Sequence, residues 1–224
     1  MIRRTPNEKF LLLFESVKRS LLATEALFVR IDKELGRLES EINLSNDIEK
    51  HAVPAILDVV SFVDFANRFG TLVAALPTIN HKKSTELRDL ALKLKVVEEI
   101  RNHLQHLRDA NRLMSHENIN YPILGTLSWS REATCYWFHL SQASEIESCS
   151  IAYDRQENRW VSQYQYAIRD HVIDLEIVLE AMRRAFRHIV SVAPISDPKI
   201  LDLTWGSTMM YRAKFDKTPE LPIE

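Results

Sequence analysis

The amino-acid sequence predicts an α+β fold: a mainly helical bundle with an antiparallel β-meander inserted between the third and fourth long helices. Three observations carry this. Apolar residues recur at helical spacing over several long stretches. Short aromatic and β-branched runs interrupt that pattern at about 121–166. Only 4 glycines occur in 224 residues, so few turns can use a positive φ, which favours helices over a sandwich of many short strands.

The first helix opens at Pro6, which suits a first helical turn, and keeps Phe10, Leu13, Phe14, Val17, Leu21, Phe28 and Ile31 on one face. Thr24 is a polar break in that stripe, and the helix is expected to end near Gly36 to Leu38. Ser45 or Asn46 caps a second helical stretch. Pro54 is expected to kink or split it, leaving 55 to about 69 as its body, and Pro77 stops it. The window 55–76 is the most apolar of the chain, but Asp58, Asp64 and Arg68 interrupt it, so it reads as a buried helix and not a membrane span.

Ser84 caps a third helix with Glu86 in its first turn. Leu87, Leu90, Leu94, Val97, Leu104, Leu107 and Met114 extend its apolar stripe to about residue 116. Strands are then expected at 121–129, 133–141, 148–153 and 159–166, with Trp129, Trp137 and Trp160 packed on the helices. The fourth helix is expected over about 168–192, acidic first (Asp170, Asp174, Glu176, Glu180) and basic later (Arg183, Arg184, Arg187, His188), as compensation of the helix dipole predicts. Residues 1–192 thus read as a single helical domain with the β insertion, and 193–224, with four prolines, as an irregular C-terminal tail.

Composition narrows the function classes. Hydrophobic residues make up 46% and charged residues 27%, an ordinary globular balance. A net charge of -2 argues against coating nucleic acid through bulk charge, though it leaves room for a local phosphate grip. Cys135 and Cys149 form no CxxC pair and read as reduced thiols of a cytoplasmic protein. No Gly-rich phosphate loop, GxSxG elbow or HExxH motif occurs. The N-terminus lacks a signal-peptide cleavage pattern.

The chemistry-bearing residues crowd into EEIRNHLQHLRDA, 98–110. Arg101, Asn102 and His106 form Arg-Asn-x-x-x-His on the third helix. This resembles the Arg-x(4–6)-His motif of the HEPN family, helical ribonucleases of toxin–antitoxin and defence systems. The resemblance covers six residues and their helical setting. It implies a metal-independent endoribonuclease without a cofactor, acting as a homodimer on RNA, with a possible antitoxin or defence partner. It assigns Arg101, Asn102 and His106 to the active site. The chemistry fits those residue types: an imidazole can take the 2′-hydroxyl proton or protonate the leaving oxygen, and a guanidinium can stabilise charge on phosphate. A second match, Arg183 with His188, lacks the asparagine and falls in the basic half of helix four.

Two other readings use the same stretch. Glu99, His103 and His106 share a helix face, and His171 with Asp174 offers a facing pair, as in helix-bundle metal sites. Alternatively, the stretch is the solvated face of a non-catalytic interaction or scaffold helix.

Overall fold

The computed structural model describes residues 6–41, 48–77, 79–80, 83–106, 122–131, 134–140, 153–154, 159–160 and 162–193. Four helices and a four-stranded antiparallel sheet make up the core, and the strands lie between the third and fourth helices. The expected tail beyond 193, Cys149 and the helix-three positions after His106 lie outside the described residues. No helix among the described residues is long and apolar enough to cross a membrane.

Helix α1 spans Pro6–Glu41, past the expected end at Gly36–Leu38. Leu38 is buried, and Glu39 and Glu41 both have partners on other elements, so tertiary contacts carry the helix through the glycine. Thr24 does not break the buried stripe. It is fully buried, with its hydroxyl donating to the Ser20 carbonyl at 2.8 Å.

Helix α2 spans Glu49–Ala74 and runs antiparallel to α1, with Arg30 paired to Asp58 and Glu34 to His51. The expected split at Pro54 does not occur. Pro54 stands near the helix start, so its missing N–H costs one early bond. The buried His51 anchors that first turn, its ring nitrogens 2.7 Å from Glu34 and 3.3 Å from Glu41. At Gly70 a Cβ would lie 2.3 Å from Leu94 Cδ1, so this helical glycine lets α2 approach α3 closely.

Burial holds the Asp58 carboxyl above its usual range, outweighing the lowering by Arg30. A raised folded pKa means that ionised Asp58 opposes folding at neutral pH. Its effect on stability improves as pH falls through the folded value and levels off below the unfolded one. Wild type should therefore gain stability relative to Asp58→Asn as pH falls from neutral through the carboxylate range. Chemical denaturation of both proteins across that range checks this, and a gap that moves the other way would refute it.

Helix α3 spans Thr85–Gln105. Ser84 caps it as expected, accepting from Leu87 N–H at 3.2 Å. Leu87, Leu90, Leu94, Val97 and Ile100 are buried. His106, its C-cap, leaves helical geometry, and the expected continuation to about 116 lies outside the described residues.

The sheet is assembled from two hairpins. Strands β1 (Thr126–Arg131) and β2 (Thr134–Phe138) form one, and β5 (Tyr164–Ile168) and β6 (His171–Asp174) the other. β1 pairs with β5, giving the order β2-β1-β5-β6 in place of a sequential meander. The short strands β3 (Tyr153–Asp154) and β4 (Arg159–Trp160) pair separately. Residues 168–174, expected in helix four, therefore belong to β5, its turn and β6. Val172 and Ile173 take ladder positions opposite Ala167 and Tyr166.

Helix α4, Leu175–Val192, starts on Asp174, whose carboxylate accepts from Ile177 N–H at 2.9 Å. Two of its arginines tie it to other helices, and a third pairs within it. Arg183 meets Glu25 of α1 at 2.7 Å, Arg184 meets Asp89 of α3 at 2.7 Å, and Arg187 meets Glu180 at 2.8 Å.

The sheet packs on α1. Trp129 is buried, stacks on Tyr136 and donates its indole N–H to Glu39. Tyr164 donates to Asp32 at 2.6 Å, and Arg131 reaches both Asp32 and Glu39. Burial first, then the Asp32 carboxylate, keeps the Tyr164 hydroxyl protonated well above the usual phenol range. Trp137, expected against the helices, is 44% exposed on the edge strand, and the Trp160 side chain lies outside the described residues.

Gly125 leads into β1 with φ +75, and a Cβ there would lie 2.5 Å from the Ala167 carbonyl oxygen. Gly125→Ala should lower stability by about 2–4 kcal/mol, since left-handed backbone and a backbone clash act together. A denaturant midpoint equal to wild type would refute this.

Candidate functional site

The candidate residues occupy the last turns of α3, where that helix packs beside α2. Arg101 points toward α2 because it borders the buried positions Val97 and Ile100, and its Nε lies 3.1 Å from Asp64 Oδ1. The other oxygen of Asp64 meets Arg68 Nε at 2.7 Å, an i,i+4 pair on α2. Two guanidinium groups thus share one carboxylate, leaving one net positive charge. Arg68 also lies over the Phe65 ring, 5.5 Å from its centroid.

Arg101 stands between two open grooves. One, of about 720 Å³, runs between Gly70, Val73, Leu87, Leu94 and Lys95. The other, of about 440 Å³, is bounded by Val60, Phe65, Arg68, Leu104 and Gln105. Asp64 engages the Nε of Arg101, and a guanidinium of this kind carries further donors on its terminal nitrogens.

Asn102 is half-buried, and its carbonyl accepts the His106 N–H that closes the helix. His106 is exposed at the end of α3. On a regular helix it lies about 140° around from Arg101. One copy of the chain therefore places Arg101 and Asn102 next to each other in sequence but does not converge Arg101 with His106 on a single point.

His103, three residues from His106, is half-buried on the side where α3 packs against β6. Burial first, then the charges of Arg169 and His171, holds its pKa below the usual histidine range. Among the described residues no three His, Cys, Asp or Glu side chains are placed to hold a metal ion, so the grouping of Glu99, His103, His106, His171 and Asp174 does not close into a metal site there. The other Arg-x4-His match is engaged in the bundle: Arg183 meets Glu25, and His188 Nδ1 lies 3.7 Å from Glu86.

Sequence reasoning missed the Asp64–Arg68 pair as part of this site. Its signal was present, as two opposite charges four residues apart in the most apolar helix. It missed Arg169, and it offered His171 only as a metal ligand on helix four, where the structure has a turn and a strand. No family model, curated protein or solved structure matches this chain.

Proposed function

We propose that the protein is a HEPN-like, metal-independent endoribonuclease that acts as a cytoplasmic homodimer in a toxin or defence setting. One observation carries the reading. Arg101, Asn102 and His106 all fall within the last turns of α3, with Arg101 and Arg68 beside an open groove. His106 takes the 2′-hydroxyl proton or supplies the proton for the leaving 5′-oxygen. The 2′-oxygen attacks phosphorus, the bond to the 5′-oxygen breaks, and a 2′,3′-cyclic phosphate remains. Arg101 donates to the phosphate oxygens as charge builds. Because the two side chains diverge on one helix, a second copy completes the site by bringing its own motif alongside.

The test is direct. Purified protein incubated with a mixed-sequence RNA pool should yield products ending in cyclic phosphate, equally with and without a chelator, and should scatter light as a dimer at micromolar concentration. An intact pool, or a monomer, overturns the reading.

A non-catalytic helical interaction protein is the second reading. It is favoured by the Arg101–Asp64–Arg68 tie, which already gives Arg101 a place in holding α3 to α2. Under it, no RNA is cut and the substitutions change local stability alone.

A further inference from the structure

We infer that the cleft between the C-terminal end of α1 and the sheet binds the ammonium group of a small amine, with Glu39, Ser162 and Tyr136 as its partners. The inference does not rest on the nuclease reading.

The first argument is a cavity built from two sides. An open cleft of about 670 Å³ is lined by Glu39 of α1 and, from the sheet, by Arg131, Thr134, Tyr136, Ser162 and Gln163. The strand ladder brings those sheet residues together. Arg131 pairs with Thr134 across the β1–β2 hairpin. Ser130 N–H donates to the Gln163 carbonyl at 3.0 Å, which carries the β1–β5 pairing on to the residues just before β5. Arg131 then ties this end of the sheet to α1 through Asp32 and Glu39.

The second argument is charge. Arg131 is the one cation among the described residues of the lining, and it faces two carboxylates, Asp32 and Glu39. One negative charge is left over. Tyr164 and Trp129 donate hydrogen bonds to those carboxylates but bring no charge. Asp32 is 43% exposed and Glu39 only 18%, so Glu39 is the carboxylate with less help from water. The Trp129 indole and the Arg131 Nε both meet Glu39 Oε1, and Oε2 keeps its capacity to accept. A cleft with that balance disfavours phosphate and carboxylate ligands and favours a single positive charge.

The third is an unsatisfied hydroxyl. Ser162 is 7% exposed, and its Oγ has no hydrogen-bond partner among the described residues. Buried polar groups nearly always have one. A donor held in the cleft would supply it. An ammonium group carries three donors and no acceptor, which suits Glu39 Oε2, the Ser162 hydroxyl and the exposed Thr134 hydroxyl. Tyr136 lines the same cleft, stacked on Trp129 at 5.2 Å, and an aromatic ring attracts a cation at its face.

The experiment titrates the full chain by calorimetry at constant ionic strength. The probes are 1-aminopropane, which is protonated at neutral pH, and 1-propanol, its neutral counterpart of nearly equal size. Ribose tests a purely hydroxylic ligand. A lysine side chain shares the ammonium chemistry, so Nα-acetyl-lysinamide is titrated beside them. 1-Aminopropane should bind at one site with a dissociation constant on the order of 1 mM, and 1-propanol at least about tenfold more weakly. Glu39→Gln keeps an acceptor for the indole but removes the charge, and should weaken the amine about tenfold. Ser162→Ala should weaken it about threefold while its thermal midpoint stays at or above that of wild type, because the hydroxyl removed has no partner to lose.

Amine binding that both substitutions weaken would support the site. Tighter binding of Nα-acetyl-lysinamide, lost in the same variants, would also support it and assign it to a lysine side chain. Amine binding that neither substitution changes would place the amine elsewhere and overturn the inference. 1-Propanol binding as well as the amine, ribose binding while the amine is silent, or no heat from any amine would overturn it too.

Discussion

Arg101→Ala and His106→Ala should each lower the rate of RNA cleavage by about a hundredfold or more, with the fold retained. Under the proposed nuclease reading, His106 serves proton transfer and Arg101 serves charge stabilisation in one transition state, so neither loss is compensated by the other group. The structural cost is small in both cases. Arg101 and Asp64 are each more than a quarter exposed, and Asp64 keeps Arg68 at 2.7 Å when Arg101 is removed. Partly exposed pairs of this kind contribute up to about 1 kcal/mol. His106 is exposed at the helix terminus. Thermal midpoints close to wild type alongside lost cleavage identify the effect as chemical. A mixture of the two variants adds a sharper check. If each site combines Arg101 of one copy with His106 of the other, mixed dimers regain one intact site, and about a quarter of wild-type activity returns. Variants that cut RNA at wild-type rate would remove Arg101 and His106 from any catalytic role.

The helical frame was legible because each helix carries its own signals. The stripe of α1, the Ser84 cap and the buried face of α3 all follow from local spacing and local hydrogen bonds. The misreadings came where tertiary contacts decide. Pro54 looked like a break, but His51 is gripped by two carboxylates of α1 and the helix continues through the proline. Residues 168–174 looked like the start of a helix because Val172 and Leu175 fit its spacing. Strand β5 supplies a ladder partner for Val172 and Ile173, and Asp174 starts the helix instead. The strand order was not readable either, since pairing of β1 with β5 joins segments far apart in sequence. The site was half legible. The motif residues are visible as a string, whereas Asp64, Arg68, Arg169 and His171 become neighbours of α3 only through packing.

Trp129→Ala should destabilise the protein by about 3–5 kcal/mol, the range for truncating a large buried aromatic residue. Trp129 is 2% exposed, packs on two aromatic rings of β2 and joins the sheet to α1 through Glu39. Its ring stacks on Tyr136 at 5.2 Å between centroids and meets Phe138 edge-on at 6.0 Å. Its indole N–H donates to Glu39, which also receives Arg131 at 2.6 Å. Removing the indole opens a cavity beneath the central strand β1 and takes a donor from a carboxylate that is only 18% exposed. Trp129→Phe separates the two contributions. It keeps most of the buried ring and loses the hydrogen bond, so it should cost about 1–2 kcal/mol. Glu39→Gln removes the charge but leaves an acceptor for the indole, and it weakens the tie to Arg131. Its cost should add to that of Trp129→Phe less than fully, because both substitutions touch one hydrogen-bonded group. Urea midpoints of the three single variants and the double variant measure all of this. A loss below about 1 kcal/mol in Trp129→Ala would mean that the sheet does not pack on α1 through this residue.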